Sequence, residues 1–420
     1  MEQTNNYEVK DLKLAEQGEK NIEWAEMEMG ALLKIQKRFQ KEKPLKGIRV
    51  GMAFHVTKET AVLVKTLIAA GADVAVASCN PLSTQDDVAA ALAKQGVKVF
   101  AYKGETNGDY YKFINKVIET KPQITIDDGC DLVTEIHNKH KDMIPNIIGG
   151  CEETTTGIIR LKAMEKDKAL KYPVIAVNDN KTKHLLDNVY GTAQSTMDGI
   201  IRASNILIAG KTFVVAGYGS CGKGLAHAAK GMGTNVIVTE VANFPALQAK
   251  MDGFRVMPMA EAAPLGDIFV TLTGNKHVIR MEHVKKMKEG AILANSGHFD
   301  NEIDMKSLEK AAKNKRRIRP YFDEYTVGER KVFVAGEGRL VNLAAAEGHP
   351  SAVMSTSLCG QVLACEYLVK QKGKLSAGVH MLPEELDDEI AGLQLEALGV
   401  EIDELTPEQI KYLNSWKEGT

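Results

Sequence analysis

A chain of 420 residues, 44% hydrophobic and 26% charged, has the make-up of a globular protein with room for two or three domains. Its formal net charge of −2 excludes a global basic field for nucleic acid. Six scattered cysteines (Cys79, Cys130, Cys151, Cys221, Cys359 and Cys365) include no C-x-x-C pair, which argues against disulfides and a metal site and for reduced thiols in the cytoplasm. The polar, acidic start "MEQTNNYEVKDLKLAEQ" lacks the features of a signal peptide. No apolar run reaches the ~18 residues of a membrane span.

The first segment reads as a helix, because Ile22, Ala25, Met29, Leu32 and Phe39 recur at three- and four-residue steps and form one apolar face. After Pro44 the pattern changes to short β-rich runs: "IRVGMAF", "DVAVAS", "VKVFAY", "ITIDD", "NIIGG" and "VIAVND", with helical stretches between them. That alternation predicts a parallel sheet with helices on both faces. Ligands of such sheets bind beyond the carboxyl ends of the strands. The polar tails of the runs are therefore the candidate site: His55, Asp127 and Asp128, Glu152 and Glu153, Asn178 and Asp179. A second alternating unit begins near Lys211 with "TFVVAG", "NVIVTE", "DIFVTLTG" and "AILANSG" as strands. The basic run "KNKRRIR" reads as a solvated helix end leading into a strand. "LCGQVLACEYLVKQ" is a further helix, and "LDDEIAGLQLEALGVEIDEL" has an amphipathic face suited to a neighbouring subunit.

Gly217, Gly219 and Gly222 form G-x-G-x-x-G between a strand and a helix. The first glycine permits the tight turn, the second admits a pyrophosphate, and the third lets helix pack on strand. Unpaired N–H groups at the helix start then face the phosphates. Glu240 ends the next strand, 23 residues after Gly217, where a carboxylate accepts from ribose hydroxyls. No arginine follows at once, so NAD is favoured over NADP. The same stretch fits G-x-x-x-x-G-K, but Gly224 stands where a P-loop needs Ser or Thr for magnesium.

Each polar cluster of the first half also has an ordinary structural explanation. Glu153 and Thr154 suit a helix cap, Lys183 and Asp187 a surface i,i+4 pair, and His55 a satisfied buried histidine. Their joint occurrence at successive strand ends points to one cleft.

Several long stretches carry a resemblance: "TAVLVKTLIAAGADV", "SCNPLSTQDD", "DDGCDL", "EETTTG", "VNDNKTK", "DNVYG", "VVAGYGSCGKG", "NSGHFDNEID" and "GEGRLVNLAAAEGHPS". Along essentially its whole length the sequence closely resembles S-adenosylhomocysteine hydrolase. The resemblance implies two doubly wound, Rossmann-like parallel-sheet domains, the NAD domain inserted into the substrate domain. The first part of the substrate domain would span 1–188, the NAD domain 189–348 and the returning segment 349–384. A C-terminal arm, 385–420, would serve a homotetramer. The glycine turn comes late because of that insertion.

The implied reaction is the reversible hydrolysis of S-adenosylhomocysteine to adenosine and homocysteine, a step of the methyl cycle with NAD as a tool. A C5′–sulfur bond offers no carbonyl to attack. Oxidation at the 3′-hydroxyl makes the C4′ proton acidic, homocysteine leaves by elimination, water adds, and the ketone is reduced again. By resemblance Lys183 takes the 3′-hydroxyl proton, which calls for a pKa lowered by burial beside other cations. Asp128 is the C4′ base. Glu153 and Asp187 hold the ribose hydroxyls, and Asn178 supports Lys183. His55 and His298 handle water and the leaving thiolate. Thr57, Glu59 and His349 complete the substrate site. Thr154, Thr155, Thr156, Asn188, Glu240, Thr273, Asn275, Ser296, Gly297, His298, Asn342 and His349 match NAD contacts, with Ser220 and Cys221 beside the three turn glycines.

Some positions depart from the common pattern. Thr192 stands where many relatives have a cysteine, Pro245 lacks an amide that would touch the NAD adenosine ribose, and Glu347 replaces a methionine near the adenine. The chain stops at "KEGT" without the Lys/Tyr tail of longer members, so faster NAD loss is expected; retention through extensive dialysis is the contrary result. Glu59 corresponds to the residue facing the purine 6-position. An ionised carboxylate only accepts, which favours the adenine N6 amine over hypoxanthine O6. The alternatives are the same chemistry on the inosyl analogue, a net NAD dehydrogenase of the 2-hydroxyacid type, and a catalytically dead binding relative. The last is disfavoured by the intact set of Asp128, Lys183, Asp187, His55 and His298.

Overall fold

The structure is a computed structural model and describes residues 6–419. Residues 1–5 and 420, the outer ends of the first and last segments drawn above and the start of the non-signal reading, lie outside it. In chain order the strands of the first unit are β1 (Tyr7–Glu8), β2 (Arg49–Ala53), β3 (Asp73–Ala77), β4 (Lys98–Phe100), β5 (Ile124–Asp127), β6 (Gly149–Glu152) and β7 (Pro173–Ala176). Those of the second are β8 (Thr212–Ala216), β9 (Asn235–Thr239), β10 (Arg255–Val256), β11 (Ile268–Thr271), β12 (Ala291–Asn295), β13 (Asn314–Arg319), β14 (Phe322–Val327) and β15 (Arg330–Ala335). β16 (Gly378–His380) returns to the first sheet beside β7.

The first sheet has the order β1-β4-β3-β2-β5-β6-β7-β16 and is parallel throughout. The order reverses between β2 and β5, which opens a crevice at their carboxyl ends. The second sheet runs β10-β9-β8-β11-β12-β15-β14-β13 and reverses between β8 and β11. Both faces of each sheet are covered. Val50, Met52, Val74 and Ile126 pack on one side of the first and Ala53, Ala75, Ala77 and Val174 on the other. Phe213, Val215 and Val238 stand opposite Val214, Ile237 and Leu293 in the second. That is why these strands read as unbroken apolar runs.

Four sequence expectations need correction. The N-terminal apolar face is real and buried, but Met29 leaves the helical region (φ −103°, ψ 44°), so the segment is two helices, Ala15–Glu28 and Gly30–Glu42. "KNKRRIR" is mostly β13 itself, an exposed antiparallel edge strand. Its cations pair with acids of β14, Arg316 with Glu324 at 2.7 Å and Arg317 with Asp323. Charges along an edge discourage pairing with another chain. The helix Ser351–Lys370, with mean hydropathy 1.3, is long and apolar enough to cross a membrane, yet 72% of its apolar window is buried in the core of the first unit. Finally, the segment drawn as one arm from 385 divides. Helix Glu384–Ala397 docks on its own domain: Ile390 is fully buried, and Asp387 accepts from the Lys181 amide at 2.6 Å. The exposed stretch begins at Leu398 and carries Ile402, Leu405, Leu413 and Trp416 to solvent.

Candidate active site

The carboxyl ends of the two sheets face one cleft. β2 delivers His55 and Thr57, β5 delivers Asp128, and β6 delivers Glu153 and Thr154. From β7 the chain turns through Val177–Asp179 into a π-helix, Lys183–Gly191. The rest of the wall comes from Ser296 and His298 after β12, from Asn342 and His349, and from Thr192 and Cys221. Glu59 lies in the first turn of the helix that Thr57 caps. All these residues line one cavity.

Lys183 is the hub. Its Nζ donates to Asn188 Oδ1 at 2.7 Å and lies 3.0 Å from Asp187 Oδ2 and 3.6 Å from Glu153 Oε1. Asp187 Oδ1 also pairs with His349 Nδ1. Glu153 accepts from Ser357 Oγ and Gln361 Nε2, both on the returning helix. Asp128 sits between two imidazoles: Oδ2 is 3.5 Å from His55 Nε2, and Oδ1 is 3.5 Å from His298 Nδ1. One ligand atom of each of these three residues lies within 4.8 Å of the others. His298 enters so closely because residue 129 is glycine. At φ +111° it has no Cβ, and one built there would fall 2.2 Å from His298 Nε2.

Electrostatics distinguish the groups. Burial lowers the His55 pKa to about 4 against the pull of Asp128, so its imidazole is neutral at pH 7. Burial raises Glu153 to about 7, with Lys183 opposing and Asp187 adding to the rise. Burial works against the Asp187 carboxylate, yet Lys183 and His349 hold it below its ordinary range. Lys183 reverses the expectation. Burial favours its neutral form, but Asp187, Glu153 and Asp128 outweigh that and raise its pKa. Its neighbours are carboxylates, where cations were expected.

Other expected residues stand behind the cavity wall. Asn178 supports Lys183 only at one remove: its Oδ1 accepts from Asn188 Nδ2 at 3.1 Å, and its Nδ2 donates to Thr155 Oγ1 at 3.1 Å. Thr154 precedes its helix without a side-chain cap, so the capping explanation does not hold there. Thr156 Oγ1 faces Gly274 of the second unit, 3.5 Å from where a Cβ would stand. Glu240, Thr273 and Asn275 lie outside the enclosed cavity, at the ends of β9 and β11. Glu240 accepts from the Tyr218, Val241 and Ala242 amides at 2.7, 2.7 and 3.1 Å. Thr273 Oγ1 donates to Glu302 and accepts from the Asn275 amide, while the Gly297 amide donates to Asn295. Ser220 Oγ meets His184 Nε2 at 2.9 Å.

The residues present fit a dinucleotide. Gly217 has φ +104°, as the tight turn requires. A Cβ on Gly222 would come 2.0 Å from Gly217 O, whereas one on Gly219 would meet no protein atom within 4 Å. Space at the second glycine with contact at the third is the arrangement that admits a pyrophosphate. Asn342 Oδ1 is buried without a partner, an acceptor available to a carboxamide.

Sequence reasoning missed Ser351, Ser357, Gln361 and Cys79. Ser351 Oγ donates to Glu59 Oε1 at 2.6 Å, and Cys79 Sγ contacts His55 Nδ1 at 3.2 Å. Ser357 and Gln361 were findable as an i,i+4 polar pair on a largely buried helix.

Two parallel-sheet units whose strand ends share one cleft, one of them through a dinucleotide turn, define the class: an NAD-binding α/β enzyme. The comparisons narrow it. Residues 6–143 match the family described as "S-adenosyl-L-homocysteine hydrolase" and residues 188–348 its "NAD binding domain". The S-inosyl-L-homocysteine hydrolase of Methanocaldococcus jannaschii is 58% identical over 99% of this chain and all of its own. The adenosylhomocysteinase of Saccharolobus solfataricus is also 58% identical, with the same coverage. A solved NAD+-bound 3-phosphoglycerate dehydrogenase from Entamoeba histolytica covers 80% of this chain and 99% of its own at a TM-score of 0.44 and 13% identity. The chain belongs to the S-adenosyl-L-homocysteine hydrolase family.

Proposed function

We propose that this protein reversibly hydrolyses S-adenosyl-L-homocysteine to adenosine and L-homocysteine with resident NAD. The observation that carries the reading is the fully buried Lys183–Asp187–Glu153 cluster beside Asp128 and its two histidines, in the cleft that the glycine turn faces. Gly217, Gly219, Gly222 and Glu240 would hold the dinucleotide, with the unpartnered Asn342 Oδ1 available to it. Bound NAD supplies a reversible hydride acceptor at C3′. Glu153 and Asp187 orient the ribose hydroxyls. Lys183 and Glu153 hold the proton of the 3′-hydroxyl. Asp128 removes the C4′ proton. His55, neutral and facing Asp128, and His298 exchange protons with water and with the sulfur leaving C5′.

The same chemistry on the inosyl compound is the second reading, favoured by the Methanocaldococcus relative's name. The Glu59 carboxylate, with Oε1 already engaged by Ser351 and lying 3.3 Å from Lys58 Nζ, supports the adenosyl reading as an acceptor for N6. The domain division, a homotetramer using the exposed stretch after Leu398, and a cytoplasmic, reducing location belong to the same proposal. All six cysteines are free, which suits that compartment.

The test is thiol release by purified protein, without added NAD, from the adenosyl and inosyl compounds in parallel. Release mainly from the adenosyl compound without net NADH is expected. No thiol from either with NAD supplied refutes the hydrolase, and stoichiometric NADH in solution turns the reading to a dehydrogenase. Sedimentation of the protein cut after Ala397 tests the assembly, which should fall below a tetramer.

A further inference from the structure

Beneath the site lies a carboxyl group that no step of the proposed reaction uses. Glu152 ends β6, and its register partner on β5 is Asp127; both are fully buried. Register partners on adjacent parallel strands send their side chains to the same face. Glu152 Oε1 accepts from two amides, Gly129 N at 2.9 Å and Thr154 N at 3.1 Å. These are the residues that immediately follow Asp128 and Glu153. Asp127 Oδ2 accepts from the Val133 amide at 2.9 Å. The other two oxygens, Glu152 Oε2 and Asp127 Oδ1, are buried without partners. Ionised carboxylates with unpaired oxygens are costly at such a depth, which favours protonation there. Burial and the neighbouring Asp127 push Glu152 well above the usual carboxyl range, and burial pushes Asp127 up to about 7.

The surrounding residues are shaped to this group. Gly157, on the helix Thr155–Lys166, leaves no room for a methyl: a Cβ would fall 2.1 Å from Glu152 Cδ and 2.2 Å from Oε1. The Gly129 peptide is gripped from its other end by Arg160, which donates to Gly129 O and, at 2.7 Å, to Asp131 Oδ1.

We propose that Glu152 is a positioning residue that clamps the Gly129 and Thr154 amides and so aims Asp128 and Glu153 at one substrate. The inference rests on the role of Asp128 at C4′ given above. Its reach is indirect: Glu152 touches no reacting atom, but both strand ends that carry the chemistry are tied through it.

The test compares holoenzymes of wild type, Glu152→Gln, Glu152→Met and Gly157→Ala. The readouts are kcat and KM for thiol release, C4′ hydrogen exchange of adenosine in heavy water by NMR, bound NAD and melting temperature. Glutamine accepts from the same two amides with its side-chain oxygen, so Glu152→Gln should stay within a few-fold of wild type. Methionine fills the space but accepts nothing, and the Gly157→Ala methyl displaces the carboxyl from outside. Both should lose on the order of a hundredfold in kcat and in C4′ exchange, the cost of misplacing a reacting group by about an ångström. KM and bound NAD should hold, while the melting temperature falls by only a few degrees, as overpacking and the unpaired amides entail.

Wild-type C4′ exchange in Glu152→Met and Gly157→Ala would overturn the clamp. An equal loss in Glu152→Gln, which keeps the acceptor, would overturn it too. Loss of bound NAD together with a larger drop in melting temperature would mark Glu152 as merely structural and equally overturn the proposal. Wild type that releases thiol without C4′ exchange would instead refute the reaction on which the inference rests.

Discussion

Gly219→Ala and Gly222→Ala place the same methyl three residues apart on the turn after β8, with opposite expected consequences. At Gly222 the methyl would stand 2.0 Å from Gly217 O and 2.8 Å from Gly217 C. Both are backbone atoms, so relief requires the helix Ser220–Gly231 to lift off its strand. Overpacking of this kind costs about 1–3 kcal/mol. In a unit of this size that lowers the melting temperature by roughly 2–12 °C. At Gly219 no atom lies within 4 Å, and φ is −72°, which alanine adopts freely. NAD-free Gly219→Ala should therefore be more stable by about 0.4–1 kcal/mol, through the lower entropy of its unfolded chain. What its methyl would meet is the pyrophosphate of a bound dinucleotide. A comparable clash of about 1–3 kcal/mol weakens NAD binding roughly 5–150-fold. Thermal melts of NAD-free protein and calorimetric titration with NAD separate the two variants. Wild-type NAD affinity in Gly219→Ala, or a drop in its NAD-free melting temperature matching that of Gly222→Ala, would falsify the assignment of the turn.

Three further outcomes are expected. Glu59→Gln exchanges an obligate acceptor for a group that also donates, so the adenosyl-to-inosyl ratio in kcat/KM should fall by about tenfold or more; an unchanged ratio removes Glu59 from the base site. Lys183→Met should slow adenosine-dependent NADH formation by about 10²–10⁴, and, by leaving buried carboxylates uncompensated, cost about 3–5 kcal/mol in a denaturant melt. Wild-type values in both assays would displace Lys183 from the hub. Because the folded Glu153 pKa is raised from 4.5 to about 7, its ionisation opposes folding as pH rises through that window. Relative to wild type, Glu153→Gln should then gain stability from pH 4.5 to 7, by up to about 1.4 kcal/mol per unit; a pH-independent difference between the two melts would refute this.

The strand–helix alternation was legible because fully covered parallel strands are apolar throughout, and the carboxyl-end rule gathers His55, Asp128 and Glu153 from the sequence alone. The glycine turn was legible because each glycine answers a separate steric demand. Other features carried no local signal. β13 has the composition of a solvated run because it is an exposed edge strand whose cations pair with acids of β14. The break at Met29 lies inside an uninterrupted apolar periodicity. The docking of Glu384–Ala397 depends on Gly30, whose missing side chain admits Ala397: a Cβ there would be 2.8 Å from Ala397 Cβ. The carboxylates around Lys183 come from β5, β6 and the π-helix, so its electrostatic setting is a property of the assembled strand ends.

That setting changes how a lysine can serve as a base. A group whose ammonium form is favoured by three carboxylates does not wait unprotonated for a substrate. Glu153, 3.6 Å away, holds its proton with a pKa of about 7. It is the member of the cluster that gains and loses a proton near neutrality, where general-base catalysis is most effective. Lys183 can then donate to the 3′-oxygen, accept its proton and pass one to Glu153 without ever resting neutral. The rate of adenosine-dependent NADH formation should accordingly rise with pH through a limb near 7 in wild type. In Glu153→Gln that limb should vanish while residual activity continues to climb toward alkaline pH, where Lys183 itself deprotonates. A limb that stays near 7 in Glu153→Gln would assign it to another group and return the whole burden of proton removal to the lysine.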